Sequence, residues 1–428
     1  WSIRLSKKFD GTTARRGGFE FPPRCGKVDG HEPMSGSEKK FLRPLAERID
    51  GLEESQTLAL NRMAKAMIAE GKSVVNLTAG ELDFPTPAEA KNAGIKAIRD
   101  GLTTYTPTAG YDGLCWAIAS KLARENKLVY SSDEVMATSG AKQGLFELMA
   151  VLFDSGDEVI VPTPAWVSYE EQMRILGIKP VFVPTDKKFH LDHRALAGAI
   201  GPKTRGILLN SPNNPTGAME SAESLAKLAR LAVQKKLWVI SDEIYERIAF
   251  CAPHVSIASL GDDIKRQTIV VGGVSKSHAM TGWRLGYMAG PSSVIKAVTA
   301  FQSHASGNPS SITQAAAAAG LEKSGAFIRM MVKELAARRV FLLKALGRIK
   351  ALKVHPPEGA FYLFVDVSKI NPDSVAFAED LLKNAGVAVV PGKYFRHDGW
   401  IRLSFATSMA NLKSAAKRIA TYCKEGGL

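Results

Sequence analysis

From residue 134 onward the chain repeats one pattern: a short β-branched run, a polar turn, then an amphipathic stretch of helical period. The runs at 134–138, 158–161, 206–209, 237–240 and 268–271 are predicted strands. Strands separated by helices need crossover connections, which are right-handed, so a mostly parallel sheet covered on both faces is expected. Upstream, residues 57–70 predict a helix stopped by Gly71, and residues 73–77 a strand. Beyond Gly290 the pattern becomes long and helical, through the Ala-rich stretch 312–321 and then 327–349. Runs at 359–367, 387–390 and 400–404 predict strands around one more helix, a smaller α+β layer. The expected architecture is α/β, with a large domain over 82–315 and a small domain assembled from 42–81 and 316–428.

Residues 1–33 break this pattern, being rich in Gly, Pro, Arg and Lys with no period to bury. Residues 1–41 are therefore expected to be an N-terminal extension, disordered or non-native. Asp10, Glu20, Asp29 and Glu32 depart from the acid-poor composition of a transit peptide, so a cytoplasmic location is expected. A plastid or mitochondrion is the alternative if 1–33 is such a peptide.

With 428 residues, 45% of them hydrophobic, the chain can bury a large core and is not a disordered polymer. No apolar run approaches the roughly 18 residues a membrane span requires. The four cysteines lie far apart with no zinc-like spacing, so no metal is expected. The formal charge of +14 admits an anionic partner (nucleic acid, an acidic membrane, small anionic substrates) or simply solvated lysines. Residues 1–33 supply only +3 of it, seven basic residues against four acidic.

Ligands of open parallel sheets bind at the carboxyl ends of strands, so the residues just after each apolar run matter most. After 134–138 comes Ser139-Gly140-Ala141-Lys142 opening a helix, whose free N–H groups suit a phosphate. After 206–209 comes the rigid polar block from Asn210 to Gly217, rich in proline and asparagine. After 237–240 come Asp242 and Tyr245; a carboxylate ending a buried strand needs a cation, a hydrogen-bonded partner, or a role as the next helix's cap. After 268–271 comes Lys276 among small residues, followed by Arg284. A desolvated lysine near other cations sheds its proton and attacks carbonyls, and an arginine grips phosphate or carboxylate in two-pronged fashion. Each signal is modest alone. Together they match the needs of pyridoxal 5′-phosphate: a lysine for its aldehyde, an acid for its pyridinium nitrogen, and a cradle for its phosphate.

Ser-Pro-Asn-Asn-Pro-Thr-Gly at 211–217, Ser-Asp-Glu-Ile-Tyr at 241–245 and the Ser-Lys…Gly-Trp-Arg-x-Gly pattern at 275–286 resemble the class I aminotransferases. Thr78-Ala79-Gly80-Glu81, Gly359-Ala360-Phe361-Tyr362 and Ile401-Arg402-Leu403-Ser404 extend the match from about residue 42 to the C-terminus. Within that family the chain is most similar to the Ib aspartate aminotransferases of bacteria and plants, some of which also transaminate prephenate.

The resemblance implies the pyridoxal-phosphate-dependent transferase fold type I, a homodimer with shared active sites, and ping-pong amino transfer between L-aspartate and 2-oxoglutarate. It implies that Lys276 holds the cofactor aldehyde and shuttles the substrate proton, and that Asp242 keeps the pyridine nitrogen protonated. Tyr245 and Asn214 would meet the ring hydroxyl and Trp166 would stack on the ring. Gly140, Ala141, Lys142, Ser275 and Arg284 would take the phosphate, joined by Tyr105 from the neighbouring subunit. Arg402 and Gly80 would clamp the substrate α-carboxylate, with Trp166 and Asn214 beside it. Lys142 would meet a distal carboxylate with help from Ser55 and Thr57.

Two departures from the family pattern stand out: Leu82 in place of the usual proline, and Ser277-His278 in place of a commoner Ala-Phe. His190, His193, His278 and His304 carry no motif support and are expected to be structural. An aromatic or kynurenine aminotransferase, or a carbon–sulfur lyase with the same cofactor, is the alternative. Lys142 argues against it, since an apolar substrate leaves a buried ammonium without a partner. A DNA-binding regulator with an aminotransferase-like effector domain would need a winged-helix module that residues 1–41 do not supply. No nucleic-acid or membrane partner is expected.

Overall fold

The computed structural model describes residues 46–49, 52 and 56–424, with the side chains of residues 47 and 56–58 excepted. Contacts divide the chain into two units, Trp1–Glu47 and Arg48–Leu428, and almost every described residue belongs to the second. The expected extension over 1–41 and the expected contact at Ser55 lie outside the described residues.

The strands are β1 (Val75–Asn76), β2 (Val135–Thr138), β3 (Glu158–Thr163), β4 (Lys179–Pro184), β5 (Thr204–Asn210), β6 (Trp238–Asp242) and β7 (Thr268–Gly273). They continue with β8 (Gly286–Ala289), β9 (Lys353–His355), β10 (Tyr362–Asp366), β11 (Val387–Ala388), β12 (Val390–Pro391) and β13 (Trp400–Ser404). Seven of them form one sheet in the order β2-β8-β7-β6-β5-β3-β4. The pairs from β4 through β7 are parallel, and β8 runs antiparallel to both of its neighbours.

Side-chain alternation along these strands divides the core in two. Met136, Val159, Val161, Leu208, Ile240, Ile269, Val271 and Met288 pack with helices Ala141–Leu152, Val167–Ile175 and Ser292–Ala305. Their neighbours in sequence point the other way. Val135, Ala137, Val270, Tyr287 and Ala289 meet helices Asp112–Asn126 and Ser311–Lys323, while Ile160, Ile207, Leu209 and Val239 meet helix Ala222–Lys235. A strand covered on both faces has no polar side, which is why these segments read as continuous apolar runs.

Two strands of this sheet escape the sequence patterns. β4 contains Pro180 and Pro184, which argue against a strand interior, but it lies at the sheet edge, where missing N–H donors are tolerated. β8 is four small or mixed residues that begin at Gly286, the last residue of the Lys276–Gly286 motif.

A second sheet, β12-β13-β10-β9, is antiparallel, and β1 pairs with β11 in a separate two-stranded ladder. Strands of both meet helices Gly325–Leu346, Ser374–Ala385 and Met409–Lys424 in one apolar cluster, which Leu82 also joins. The expected boundary at 315–316 falls within helix Ser311–Lys323. Ala316 to Leu321 of that helix pack with the large sheet, whereas Met331 and Leu335 of the next helix join the smaller cluster.

Candidate active site

The carboxyl ends of β5, β6 and β7 open into a cavity of about 370 Å³. Asp242 ends β6 and is 3% exposed. β5 sets Asn210 directly opposite it, and Asn210 Nδ2 donates to the Asp242 carbonyl at 3.0 Å. The Asp242 carboxylate accepts from Tyr169 Oη at 2.6 Å and from the Ile244 N–H at 3.2 Å. Burial lifts this carboxyl to about 6, with the two donors and the Lys276 ammonium pulling the other way.

Beyond β7 the chain makes a single helical turn, Val274–Ser277, which carries Lys276 into the cavity. Its Nζ donates to the Gly80 carbonyl. Burial, reinforced by the guanidiniums of Arg402 and Arg284, lowers this lysine to about 8, against the opposing pull of Glu81 and Asp242. Lys276 is thus poised to lose its proton near neutrality, as a nucleophile toward an aldehyde must.

The turn between β2 and the next helix forms a cradle. Gly140 has φ +89°, and a Cβ there would stand 2.4 Å from Arg284 Nη2, so a side chain would both strain the backbone and displace the guanidinium. Arg284, itself in the left-handed region, donates to Thr281 O at 3.0 Å. Ala141 and Lys142 start the helix, where free N–H groups and the positive dipole end favour an anion. Ser275 lines the same cavity and is buried.

Arg402 sits in β13 between β12 and β10, 3% exposed. Read alone in the sequence it suggests a solvated edge strand; the register places it in the sheet interior. Its Nη1 donates to Asn214 Oδ1 at 2.9 Å and its Nη2 to Thr78 O at 2.8 Å, while the guanidinium lies 4.3 Å from the Tyr362 ring centroid. Its Nε is buried without a partner, and among the described residues no carboxylate forms an ion pair with it. A buried cation that lines a cavity and has no carboxylate partner is suited to an incoming carboxylate.

Lys142 places its ammonium 4.9 Å from the Trp166 ring centroid, and burial, then Arg284, lowers its pKa. Gly80, Lys142, Trp166, Asn214, Tyr245, Ser275, Arg284 and Arg402 all line the cavity with Asp242 and Lys276. Tyr105 does not: it is 95% exposed. Thr57 lies in the first helix, Gln56–Ala69.

The sequence patterns give no role to other lining residues, Tyr169, Tyr362 and Lys65 among them. Tyr169 lies three residues after Trp166 at a helix start, the spacing that puts both on one face. Tyr362, within the Gly-Ala-Phe-Tyr motif, meets Tyr245 Oη at 2.9 Å through its own hydroxyl. Lys65 reaches the cavity from the first helix and lies 3.8 Å from Glu81, with no motif to announce it.

Behind Asp242, the ligand atoms of Glu243, Glu246 and His254 lie within 4.8 Å of one another. Protein groups already answer them. Lys121 and Asn126 bond Glu246, and His254 Nε2 sits 3.0 Å from Glu243. Burial pushes Glu246 up, but Lys121 and His254 outweigh it and hold the carboxyl at about 2.

Residues 72–419 match the family described as aminotransferase class I and II. The chain belongs to that family. It is 42% identical over 392 residues to the aspartate/prephenate aminotransferase of Nitrosomonas europaea, covering 88% of this chain and 99% of that protein. It is 44% identical over 384 residues to a probable aspartate/prephenate aminotransferase of Thermus aquaticus, covering 89% and 99%. Among solved structures, the aspartate aminotransferase of Rhizobium meliloti superposes with a TM-score of 0.86 at 40% identity, covering 90% of this chain and 99% of that one. The Thermus thermophilus aspartate aminotransferase with maleate gives 0.86 at 43%, covering 89% and 100%.

This aminotransferase is a pyridoxal-phosphate-dependent transaminase of fold type I. The cavity fits the cofactor on its own terms: a buried amine of lowered basicity, a buried carboxyl with few partners, and a glycine cradle beside an arginine.

Proposed function

We propose that this aminotransferase exchanges the amino group between L-aspartate and 2-oxoglutarate in a ping-pong cycle, and that it also aminates prephenate. Two cavity cations without a carboxylate partner among the described residues, Arg402 and Lys142, carry the reading, because a dicarboxylate supplies one anion for each. The curated relatives named above act on aspartate or prephenate by their names, and one structural relative holds maleate, itself a dicarboxylate.

Pyridoxal phosphate supplies the electron sink that makes the amino acid Cα–H acidic. The protein does the rest. Lys276 would hold the aldehyde through Nζ and would carry the proton at the amino acid Cα. Asp242, oriented by Tyr169 and Asn210, would keep the pyridine nitrogen protonated. Tyr245 and Asn214 would meet the ring hydroxyl, and Trp166 would cover the ring face. The Gly140–Lys142 turn, Ser275 and Arg284 would hold the phosphate, and Arg402 with Gly80 would orient the α-carboxylate.

Steady-state rates with 2-oxoglutarate as acceptor, and with glutamate paired to prephenate, test the substrate range. Lys142→Ala should lower kcat/KM for aspartate by about 10- to 100-fold, the worth of a charge-assisted hydrogen bond, while sparing phenylalanine. Equal losses on both substrates would remove Lys142 from side-chain recognition.

A further inference from the structure

Immediately after Lys276, at the Ser277-His278 departure, the structure holds a buried polar chain. His278 is fully buried. Its Nδ1 lies 2.8 Å from Ser277 Oγ, and its Nε2 lies 3.3 Å from Arg247 Nη1 and 3.2 Å from Gly320 O. Ser277 Oγ donates to Gly273 O at 3.3 Å. Arg247, two residues past Tyr245, donates from Nε to Glu125 Oε2 at 2.7 Å and from Nη2 to Glu125 Oε1. The chain therefore runs from helix Asp112–Asn126, through the turn that follows Asp242 and bears Tyr245 and Arg247, to the turn bearing Lys276.

With the proton on Nδ1 the Arg247, Ser277 and Gly273 contacts are mutually compatible, and Gly320 O then faces an Nε2 that carries no hydrogen for it. Arg247 donates to Nε2, Nδ1 donates to Ser277 Oγ, and the serine hydroxyl donates to Gly273 O. Burial, then the Arg247 cation, holds this histidine at about 3, so the ring stays neutral at physiological pH and can accept from the guanidinium. A single helical turn has little rigidity of its own. Val274–Ser277 is closed by the His278 N–H to Val274 O bond at 3.1 Å, so its orientation depends on what grips its end. A phenylalanine at 278 would fill space there but would offer Arg247 and Ser277 no ring nitrogen.

We propose that His278 is a positioning residue for Lys276, locking the Lys276 turn to the Tyr245 turn through Arg247. This rests on the roles proposed above for Lys276 and Tyr245. The lock acts on the transferred proton and not on substrate affinity, since His278 lines no part of the cavity.

The test is a pH titration of the visible absorbance of the holoenzyme, with kcat and KM measured alongside. His278→Phe should move the titration midpoint by about one unit, a tenfold change in the proton equilibrium. It should lower kcat about 10- to 100-fold at little-changed KM, the cost of slight misplacement of a reacting group. His278→Gln, which keeps a side-chain carbonyl to receive Arg247, should recover most of both. If His278→Phe does not fold, Ser277→Ala removes a single hydroxyl of the chain and should move the same midpoint. A wild type without the visible band removes the Lys276 role and the proposal with it. A wild-type band with unmoved midpoint and kcat in the variants overturns the proposal alone, even if melting temperatures fall.

Discussion

Two buried titratable side chains carry the sharpest consequences at the scale of single residues. Lys276 is lowered to about 8 by burial first and by Arg402 and Arg284 next. Its free amine therefore gains tenfold per pH unit below 8 and saturates above it. We predict that apoenzyme mixed with pyridoxal phosphate develops its visible absorbance at a rate that climbs from pH 6.5 and levels off above about 8.5. Lys276→Ala should develop no such band.

Glu147 is 1% exposed, its Oε2 has no partner, and burial raises it to about 7 despite donors from Gln143 and Ser306. A folded carboxyl that binds its proton more tightly than the unfolded one stabilises the fold fully in acid. That contribution is lost as pH rises through 7. Denaturant melts at pH 5 and pH 8 should show Glu147→Gln, which needs no proton, gaining on wild type at the higher pH.

The elements divide into those held by local signals and those held only by neighbours. Helix Ser374–Ala385 is of the first kind. Asp373 caps it, accepting from the Val375 and Ala376 N–H groups at 2.9 and 3.1 Å, and Gly386 ends it in the left-handed conformation. Asp373→Ala should cost about 1 kcal/mol in equilibrium unfolding and leave kcat unchanged, because the cap lines no part of the cavity. The Lys276 turn is of the second kind: four residues, no side-chain cap, and an orientation set by partners distant in sequence.

Across the whole molecule, Tyr105 stands 95% exposed, and Ile95, Ile98, Leu102 and Phe301 are also exposed large apolar side chains. Exposed apolar side chains of this kind are what a second copy would cover, and the resemblance implies that Tyr105 meets the partner's cofactor phosphate. Sedimentation should find a dimer. Tyr105→Phe should keep the dimer yet weaken pyridoxal phosphate binding about tenfold, measured by reconstitution of apoenzyme. A monomeric wild type, or unchanged cofactor affinity in the variant, would contradict that role.

Composition and pattern alone determined that this is an α/β chain with its chemistry at strand ends. A doubly covered strand must be apolar throughout, and the polar residues at its end are then conspicuous. Asp242, Lys276 and the Gly140 turn were legible for that reason, and the family motifs supplied Trp166, Asn214, Arg284 and Arg402. Only the tertiary structure decided that Arg402 lies buried beside Asn214 and that Tyr169 orients Asp242. It alone brought Lys65 to the cavity and ran a polar chain from Glu125 to His278. Each of those depends on strand register or on contacts between residues dozens to hundreds of positions apart, and local periodicity carries no record of either. Of the chain's many cations, Lys142, Lys276, Arg284 and Arg402 converge on one cavity, and that convergence belongs to the fold.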